Sequence, residues 1–517
     1  MNRNDERIME IIRILKTPGK DYYLNIVAFP EIVAVEVIDA QTEKQVGTPL
    51  GFSSGKDFIQ KIPKLFSKNV KAAILNMSQL KNHGYSSNYE FCKVVREKLN
   101  RLKISHRFIP DEESVPATIL TASNFSAKIG DHVLVIMIDK DQFYRIKEFE
   151  YTQNGYEMRN FKAIKICDAT RNNIVTNKKL AKIIACNMNS LPTKNLRNLL
   201  KLEKLVIVEA EEYQKAKSKF LCNTAKWMKD KSLQKFHISP TPIKGYAVVG
   251  MIGDIEYGLF TVDSNEKLPL TKTLEITKTY QNYRIVFIDK DGIQIIETKQ
   301  FDKDCHKFQL IFRIDTEHFY SFTPMNVLLH GMPALPNILD RTQQSKLPVI
   351  VFWDNSSVIC ISKNGGEYNF SEKWNGFYGN ALFINFNKKR PFLDTNITVE
   401  TKMDTVVFDF LKILSMPINN IEIDEGWKFR FTKDAENPCL IEFTNFDGEK
   451  KAATPTLLMA ILLRQHLKII TEEIGQKPKQ IGISLIDNFN VDERKRVEEK
   501  IQESCQLLQI QCKFIKT

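Results

Sequence analysis

The sequence predicts an α/β fold built around a repeated segment, and three observations carry that reading. Residues 8–109 and 406–515 keep one order of elements: helix, β-ribbon, helix, strand, helix and strand. Apolar strand-like runs alternate with stretches whose apolar residues recur at helical spacing, the pattern of layered α/β domains. Residues 256–322 break the alternation with short β-rich runs separated by Asn, Asp and Gly, which suggests a small antiparallel β-sandwich. Two copies are too few for a solenoid, so the repeat reads as a duplicated domain.

Each element has its own local reason. Residues 8–16 have helical apolar spacing and stop at Pro18-Gly19. Residues 24–38 hold the β-type runs Ile26–Phe29 and Ile32–Ile38. Residues 56–66 return to a helical pattern, Ala72–Asn76 is a short buried strand, and Phe91, Val94, Val95, Leu99 and Leu102 mark a helix. His132–Asp139 and Phe143–Phe149 read as a strand pair. Residues 171–225 read as mostly helical, interrupted by the strand Leu205–Val208. Strands are expected at 258–262, 273–276, 283–288, 292–297 and 308–314. The stretch 326–347 has prolines and no periodicity, and reads as a linker. Pro348 opens a new α/β segment whose first strand is Val349–Trp353.

Bulk properties set limits on function. A chain of 517 residues has room for about three or four domains. The apolar run Leu457–Leu463 is too short to span a bilayer, and Met1–Arg7 lacks the apolar core of a signal peptide. Nine cysteines without a Cys-x-x-Cys pair indicate neither a disulfide framework nor a zinc site, so a cytoplasmic location is expected. The net charge of +12 comes from 74 basic residues interleaved with 62 acidic ones. The basic runs Asn387–Arg390 and Arg494–Arg496 are short, and acids flank the second, so nucleic-acid binding is not expected. The eight histidines show no metal-ligand spacing.

Several stretches share the text of one family. Glu449-Lys450-Lys451 and Thr454-Pro455 precede a helix with Ala460, Leu463 and Leu467. Glu472–Gly475 and the strand Gln480–Leu485 follow, and Asp487-Asn488-Phe489-Asn490 leads into a helix near Asp492. Arg107–Glu112, Val133–Ile136, Lys204–Val208, and Ile238–Pro240 with Gly245–Val249 keep the same order, and Pro348–Gly365 has the form of a β-hairpin. Together these resemble the 70-kilodalton heat-shock chaperones. The resemblance implies actin-like (ribonuclease-H-like) nucleotide-binding lobes, duplicated, plus a shortened peptide-binding sandwich, with a helix at 245–249. Residues 1–260 would be one degenerate nucleotide-binding domain lacking its opening hairpin. Residues 261–325 would be the sandwich, 326–347 a linker, and 348–517 the N-terminal lobe of a second nucleotide-binding domain. The missing strands would come from elsewhere in the chain or from a longer tandem array.

Phosphate binding in that family needs glycine-rich hairpin turns, because backbone N–H groups must approach the phosphates closely. The first such loop falls on Phe352–Ser357, where Asp354, Asn355, Ser356 and Ser357 remain and the glycine does not. The second falls on Met137–Gln142, with no glycine, and the third on Glu209-Ala210-Glu211-Glu212, which sets negative charge against phosphates. The catalytic lysine position reads Ile12 in one copy and Leu411 in the other, while Asp111 lies near the family's glutamate. The resemblance therefore implies a pseudo-ATPase with no catalytic residue, no metal ligand and no cofactor. Its partners would be proteins, extended peptides or co-chaperones, with no membrane role. The alternative is a working chaperone ATPase that holds ATP and magnesium through Asp354, Ser356 and Ser357.

Overall fold

The computed structural model describes all residues except 1–2, 82, 139–141, 178, 188–193, 201–203, 290–291 and 517. With 29% helix and 36% strand, the chain is a mixed α/β protein. No helix among the described residues is long and apolar enough to cross a membrane. The chain divides into two units. The first holds Met1–Ile243, Asp263–Leu270 and Arg313–Tyr320, and the second holds Lys244–Val262, Thr271–Phe312 and Ser321–Thr517.

The first unit opens with α1 (Arg3–Leu15), then β1 (Tyr22–Phe29), β2 (Ile32–Asp39), β3 (Gln45–Phe52), α2 (Gly55–Leu65), β4 (Val70–Asn76), α3 (Asn88–Arg101), β5 (His106–Phe108) and α4 (Asp111–Ser123). Its first sheet runs β3-β2-β1-β4-β5. β1, β2 and β3 are antiparallel neighbours, while β4 pairs parallel to β1 and β5 parallel to β4. β1 and β2 form an antiparallel hairpin turned at Pro30-Glu31. Ile8, Ile11 and Leu15 of α1 and Phe91, Val95 and Leu99 of α3 are buried in the core of this sheet.

The second sheet follows the same plan with β6 (His132–Ile138), β7 (Phe143–Thr152), β8 (Gly155–Lys165), α5 (Arg171–Ile174), β9 (Leu180–Asn187), α6 (Lys194–Leu200), β10 (Leu205–Glu209) and α7 (Ala210–Lys229). Its order is β10-β9-β6-β7-β8, again with two antiparallel pairs on one side of the first strand and two parallel pairs on the other. β9 falls within a stretch expected to be helical. Leu180–Asn187 is apolar on both faces because it lies in the middle of the sheet, and such a run lacks the alternation that would mark it as a strand. Ile38, Ala72 and Ile74 of the first sheet, Val133 and Val135 of the second, and side chains of α4 and α7 share one core.

The second unit contains β11 (Gly245–Ile252), β12 (Ile255–Val262), β13 (Leu270–Thr277), β14 (Asn282–Asp289), β15 (Gly292–Gln300), β16 (Lys307–Ile314) and β17 (Tyr320–Val327), all but the end residues Leu270, Arg313, Ile314 and Tyr320, which belong to the first. These form the sheets β12-β11-β14-β15 and β13-β16-β17. Aromatic side chains bridge them: Tyr246 and Phe260 meet Phe312, and Tyr283 meets Phe322. The expected helix at 245–249 is a correction: Tyr246 and Val248 lie on one face of β11, which pairs antiparallel with both β12 and β14. The expected linker is also corrected, since α8 (Leu335–Thr342) buries Leu335 and Leu339 against Val349, Val351 and Trp353.

A third sheet of the same plan then follows. β18 (Val349–Trp353), β19 (Ser356–Ser362) and β20 (Tyr368–Phe370) are antiparallel neighbours. Short strands β21 (Asn380–Ala381), β22 (Ile384–Asn385), β23 (Phe392–Leu393) and β24 (Val406–Val407) come next, with α9 (Phe410–Ser415), β25 (Arg430–Thr432), β26 (Leu440–Thr444) and β27 (Lys450–Ala453). Then α10 (Pro455–Ile474), β28 (Gln480–Leu485), α11 (Val491–Leu507) and β29 (Gln511–Phe514) complete the order β20-β19-β18-β28-β29. This third repetition of the strand plan begins at Val349, not at residue 406, and the repetition in β6–β10 was not foreseen.

Candidate functional site

The second unit holds a cavity of about 880 Å³ where the β18–β19 turn meets β13, β16 and the segment after β28. β18 carries a wholly apolar, buried run up to Trp353, so the first polar residue, Asp354, emerges at the sheet's end. Asp354 has φ of 44°, a left-handed turn conformation that Asp tolerates better than most residues. Its backbone N–H donates to Asp487 Oδ1 at 2.7 Å, and Asp487 follows the parallel strand β28. Two carboxylates thus stand at the ends of adjacent parallel strands.

Asn355 locks the other side of the turn. Its Nδ2 donates to the Leu382 carbonyl at 3.0 Å, and its Oδ1 accepts the Asp409 N–H at 2.7 Å. Asp409 is also left-handed, with φ of 61°, and its Oδ2 accepts from the Trp427 indole at 2.9 Å. Lys412 pairs with Asp424 at 2.7 Å, and Lys307 reaches Glu275 at 3.1 Å and Asp354 at 3.6 Å. Tyr257, Tyr280, Phe408 and Phe489 add ring surface to the wall.

The electrostatics are acidic. Glu275, Asp354, Asp409, Asp424, Asp487 and Glu493 line the cavity, against Lys307 and Lys412. Burial pushes Asp409 up to about 6, and nearby Asp424 and Asp354 add to the rise while Trp427 and Lys412 oppose it. Burial likewise lifts Asp487 to about 6 and holds Asp354 above the usual carboxylate range. Asp424 is the exception: burial raises it, but Lys412 and the Gly426 N–H bring it below its ordinary value. Such a wall suits a cationic or hydroxyl-rich ligand and repels a polyphosphate. Among the described residues no group of three His, Cys, Asp or Glu side chains is placed to hold a metal ion.

The expected remnant loop is split by the structure. Asp354 and Asn355 line the cavity, whereas Ser356 and Ser357 are fully buried. Ser357 Oγ bonds His466 Nε2 at 2.8 Å and accepts from the Trp374 indole at 3.0 Å, so it serves the core. Asp111, in the first unit, accepts from Asn76 Nδ2 at 2.6 Å and Gln79 Nε2 at 2.8 Å beside the first turn of α4.

The other loop positions are explained locally. Met137 is a buried β6 residue, and Asp139, Lys140 and Asp141 lie outside the described residues. Glu212 Oε2 accepts the Glu209 N–H at 3.0 Å, so the chain's own carboxylate satisfies the start of α7, where an anion would otherwise be favoured. Leu411 is buried core, and Ile12 packs against the core of the first sheet.

Sequence reading missed Asp409, Asp424, Lys307 and Lys412, and it quoted Asp487 without giving it a role. Asp487 had a usable signal: like Asp354, it is the first carboxylate after an apolar strand. Asp409 had none, because its place depends on the Asn355 contact across 54 positions of sequence. No protein-family model matches the chain, and no curated protein matches it.

Proposed function

We propose that this chain is a divergent relative of the 70-kilodalton heat-shock chaperones, built from actin-like (ribonuclease-H-like) lobes and a small β-sandwich, that no longer hydrolyses ATP and acts by binding proteins or extended peptides. The recurring plan, three antiparallel strands followed by two parallel ones, supports the lobe assignment. Its working compartment is the reducing cytoplasm, which suits nine free thiols.

One observation carries the non-hydrolysing reading. The turn that would wrap phosphate has side chains at every position from Asp354 to Ser357, and it is tied by Asp354 N–H to a second carboxylate, Asp487. The backbone donor an anion would need is already used by an internal acid. Two like charges 4 Å apart repel by about 4 kcal/mol at an effective dielectric of 20. The atypical nucleotide mode is disfavoured because Ser356 and Ser357, which it requires, are buried in the core.

Calorimetry of the full chain with magnesium-ATP tests this reading. The expected result is no saturable heat and no released phosphate; micromolar binding with turnover would overturn it. A peptide array probed with the full chain tests the binding role. Enrichment of extended apolar peptides is expected, and uniform background would remove the claim.

A further inference from the structure

The first unit holds a cavity of its own, about 180 Å³, where α4, α7 and the segment after α7 meet. Ala117, Phe220, Trp227, Phe236 and Ile238 give it a largely apolar wall. The segment that closes it is pinned. The His237 N–H donates to the Gln234 carbonyl at 2.9 Å, and the His237 carbonyl accepts from the Tyr156 N–H at 2.8 Å. Trp227 is fixed as well: His237 stacks on it with ring centres 3.9 Å apart, and Lys231 Nζ lies 3.2 Å from its ring centre. The cavity is therefore formed before anything enters it, as ligand pockets usually are.

One polar group in this wall lacks its complement. Glu113 is 6% exposed and lines the cavity, and its Oε1 takes Arg107 Nη2 at 2.8 Å. Its Oε2 has no hydrogen-bond partner among the described residues. Native structures rarely leave a buried acceptor bare. A neighbouring void of about 20 Å³, also lined by Glu113, has room for one water and nothing larger, so a water is the rival donor. The exposed side of the cavity has the opposite charge. Lys226 and Lys235 line it beside half-exposed Leu233; Lys226 pairs with Glu43 at 2.7 Å, whereas the contact of Lys235 is the Asn124 amide oxygen at 3.5 Å. Size narrows the choice further. A cavity of about 150 Å³ holds one benzene ring, and drug-sized pockets begin near about 300 Å³. The space here suits one or two fused rings and is too small for a nucleoside.

We propose that this cavity binds a fused-ring aromatic acid with a ring N–H, the indole carboxylate class. The ring fills the apolar space, the N–H donates to Glu113 Oε2, and the carboxylate pairs with Lys235 at the exposed side. A ring carbon in place of the nitrogen would leave Glu113 bare, which a site built to receive a donor penalises. A cationic arm would meet Lys226 and Lys235 and be repelled. The inference concerns the first unit alone and rests on neither the nucleotide-site reading nor the peptide-binding one.

Calorimetry of the full chain with indole-3-acetate tests the site, and one saturable site per chain is expected. Naphthalene-1-acetate keeps the rings and the acid but lacks the N–H, and should bind at least about tenfold more weakly. Tryptamine should also bind more weakly than indole-3-acetate, and salt should narrow that gap. Lys235→Glu should weaken indole-3-acetate by about two- to fivefold and leave uncharged indole unchanged. Ala117→Leu fills the space and should abolish binding of all these probes, with circular dichroism reporting whether the variant is folded. If it does not fold, Thr224→Trp, at a half-buried lining position, obstructs the same space and takes its place. No saturable heat with indole-3-acetate, or binding that survives the obstructed cavity, would overturn the proposal. Equal affinity for naphthalene-1-acetate would overturn it too, because water in the small void would then be serving Glu113.

Discussion

The backbone N–H of Asp354 donates to Asp487 Oδ1 at 2.7 Å, and this contact joins the turn after β18 to the end of β28. Around it burial makes three carboxylates of the wall, Asp354, Asp409 and Asp487, harder to ionise. That gives the second unit a characteristic response to pH.

Burial raises Asp409 and Asp487 to about 6 from the ordinary carboxylate value of 3.8. A carboxyl raised on folding binds more protons in the folded state between pH 4 and 6, so stability falls as pH rises through that window. Each group then costs about 2–3 kcal/mol at pH 7. Asp409→Asn keeps an oxygen for the Trp427 indole and removes the charge. The variant should unfold at higher urea than the parent at pH 7, with the difference vanishing by pH 4. A variant less stable than the parent at pH 7 would contradict the burial argument.

His466 works in the opposite sense. It is fully buried, with Nδ1 on the Leu462 carbonyl at 3.0 Å and Nε2 facing Ser357 Oγ at 2.8 Å, and burial pushes it down to about 4. A histidine depressed on folding loses its contribution as pH drops from about 6.5 to about 4, because the unfolded chain protonates first. Ser357→Ala removes a partner of both His466 and the Trp374 indole. It should cost about 2 kcal/mol in urea unfolding at pH 7, the usual range for stranding a buried polar group. A change under about 0.5 kcal/mol would show that the pair is not bonded as described.

Gly379 sits just before the short strand that pairs with β19. It has φ of 62°, and a Cβ there would lie 2.1 Å from the Ser357 carbonyl oxygen. Gly379→Ala therefore combines left-handed strain with a backbone clash and should cost at least about 3 kcal/mol. Gly448 has φ of 84° and open space around it, so Gly448→Ala isolates the strain alone and should cost about 1 kcal/mol. Equal losses in thermal unfolding would refute the steric part.

The elements that were legible in the sequence are those with local chemistry. α10 announces itself through Thr454, whose hydroxyl accepts from the Leu457 N–H, through Pro455 at its first turn, and through left-handed Gly475 at its end. α11 does so through the reciprocal Asn490–Glu493 box. β9 and β11 were misread because tertiary burial, rather than pattern, decides them. β9 is apolar on both faces, and β11 becomes a strand by pairing with β12 and β14 on either side. α8 was read as linker because Pro333 and Pro336 dominate a short stretch whose two core leucines are too few to show a period. The site was half-legible for a similar reason. Asp354 follows an apolar strand in plain sight, while Asp409, Asp424, Lys307 and Lys412 come together only through contacts between distant segments.

The first unit offers a separate test of how a buried charge is held. Arg107 Nη2 meets Glu113 Oε1 at 2.8 Å with both side chains at most 7% exposed, and the guanidinium also lies 4.5 Å from the Trp227 ring centre. Burial raises Glu113, and Arg107 offsets part of that rise. Removing one partner strands the other charge, so Glu113→Ala should cost about 3–5 kcal/mol. Replacing both, as Arg107→Met with Glu113→Leu, removes the stranded charge and should recover most of that loss while keeping the packing on Trp227. The comparison is read from urea unfolding of the two variants against the parent. If the double variant is as unstable as Glu113→Ala, the pair stabilises the unit through its own interaction, and the stranded-charge explanation fails.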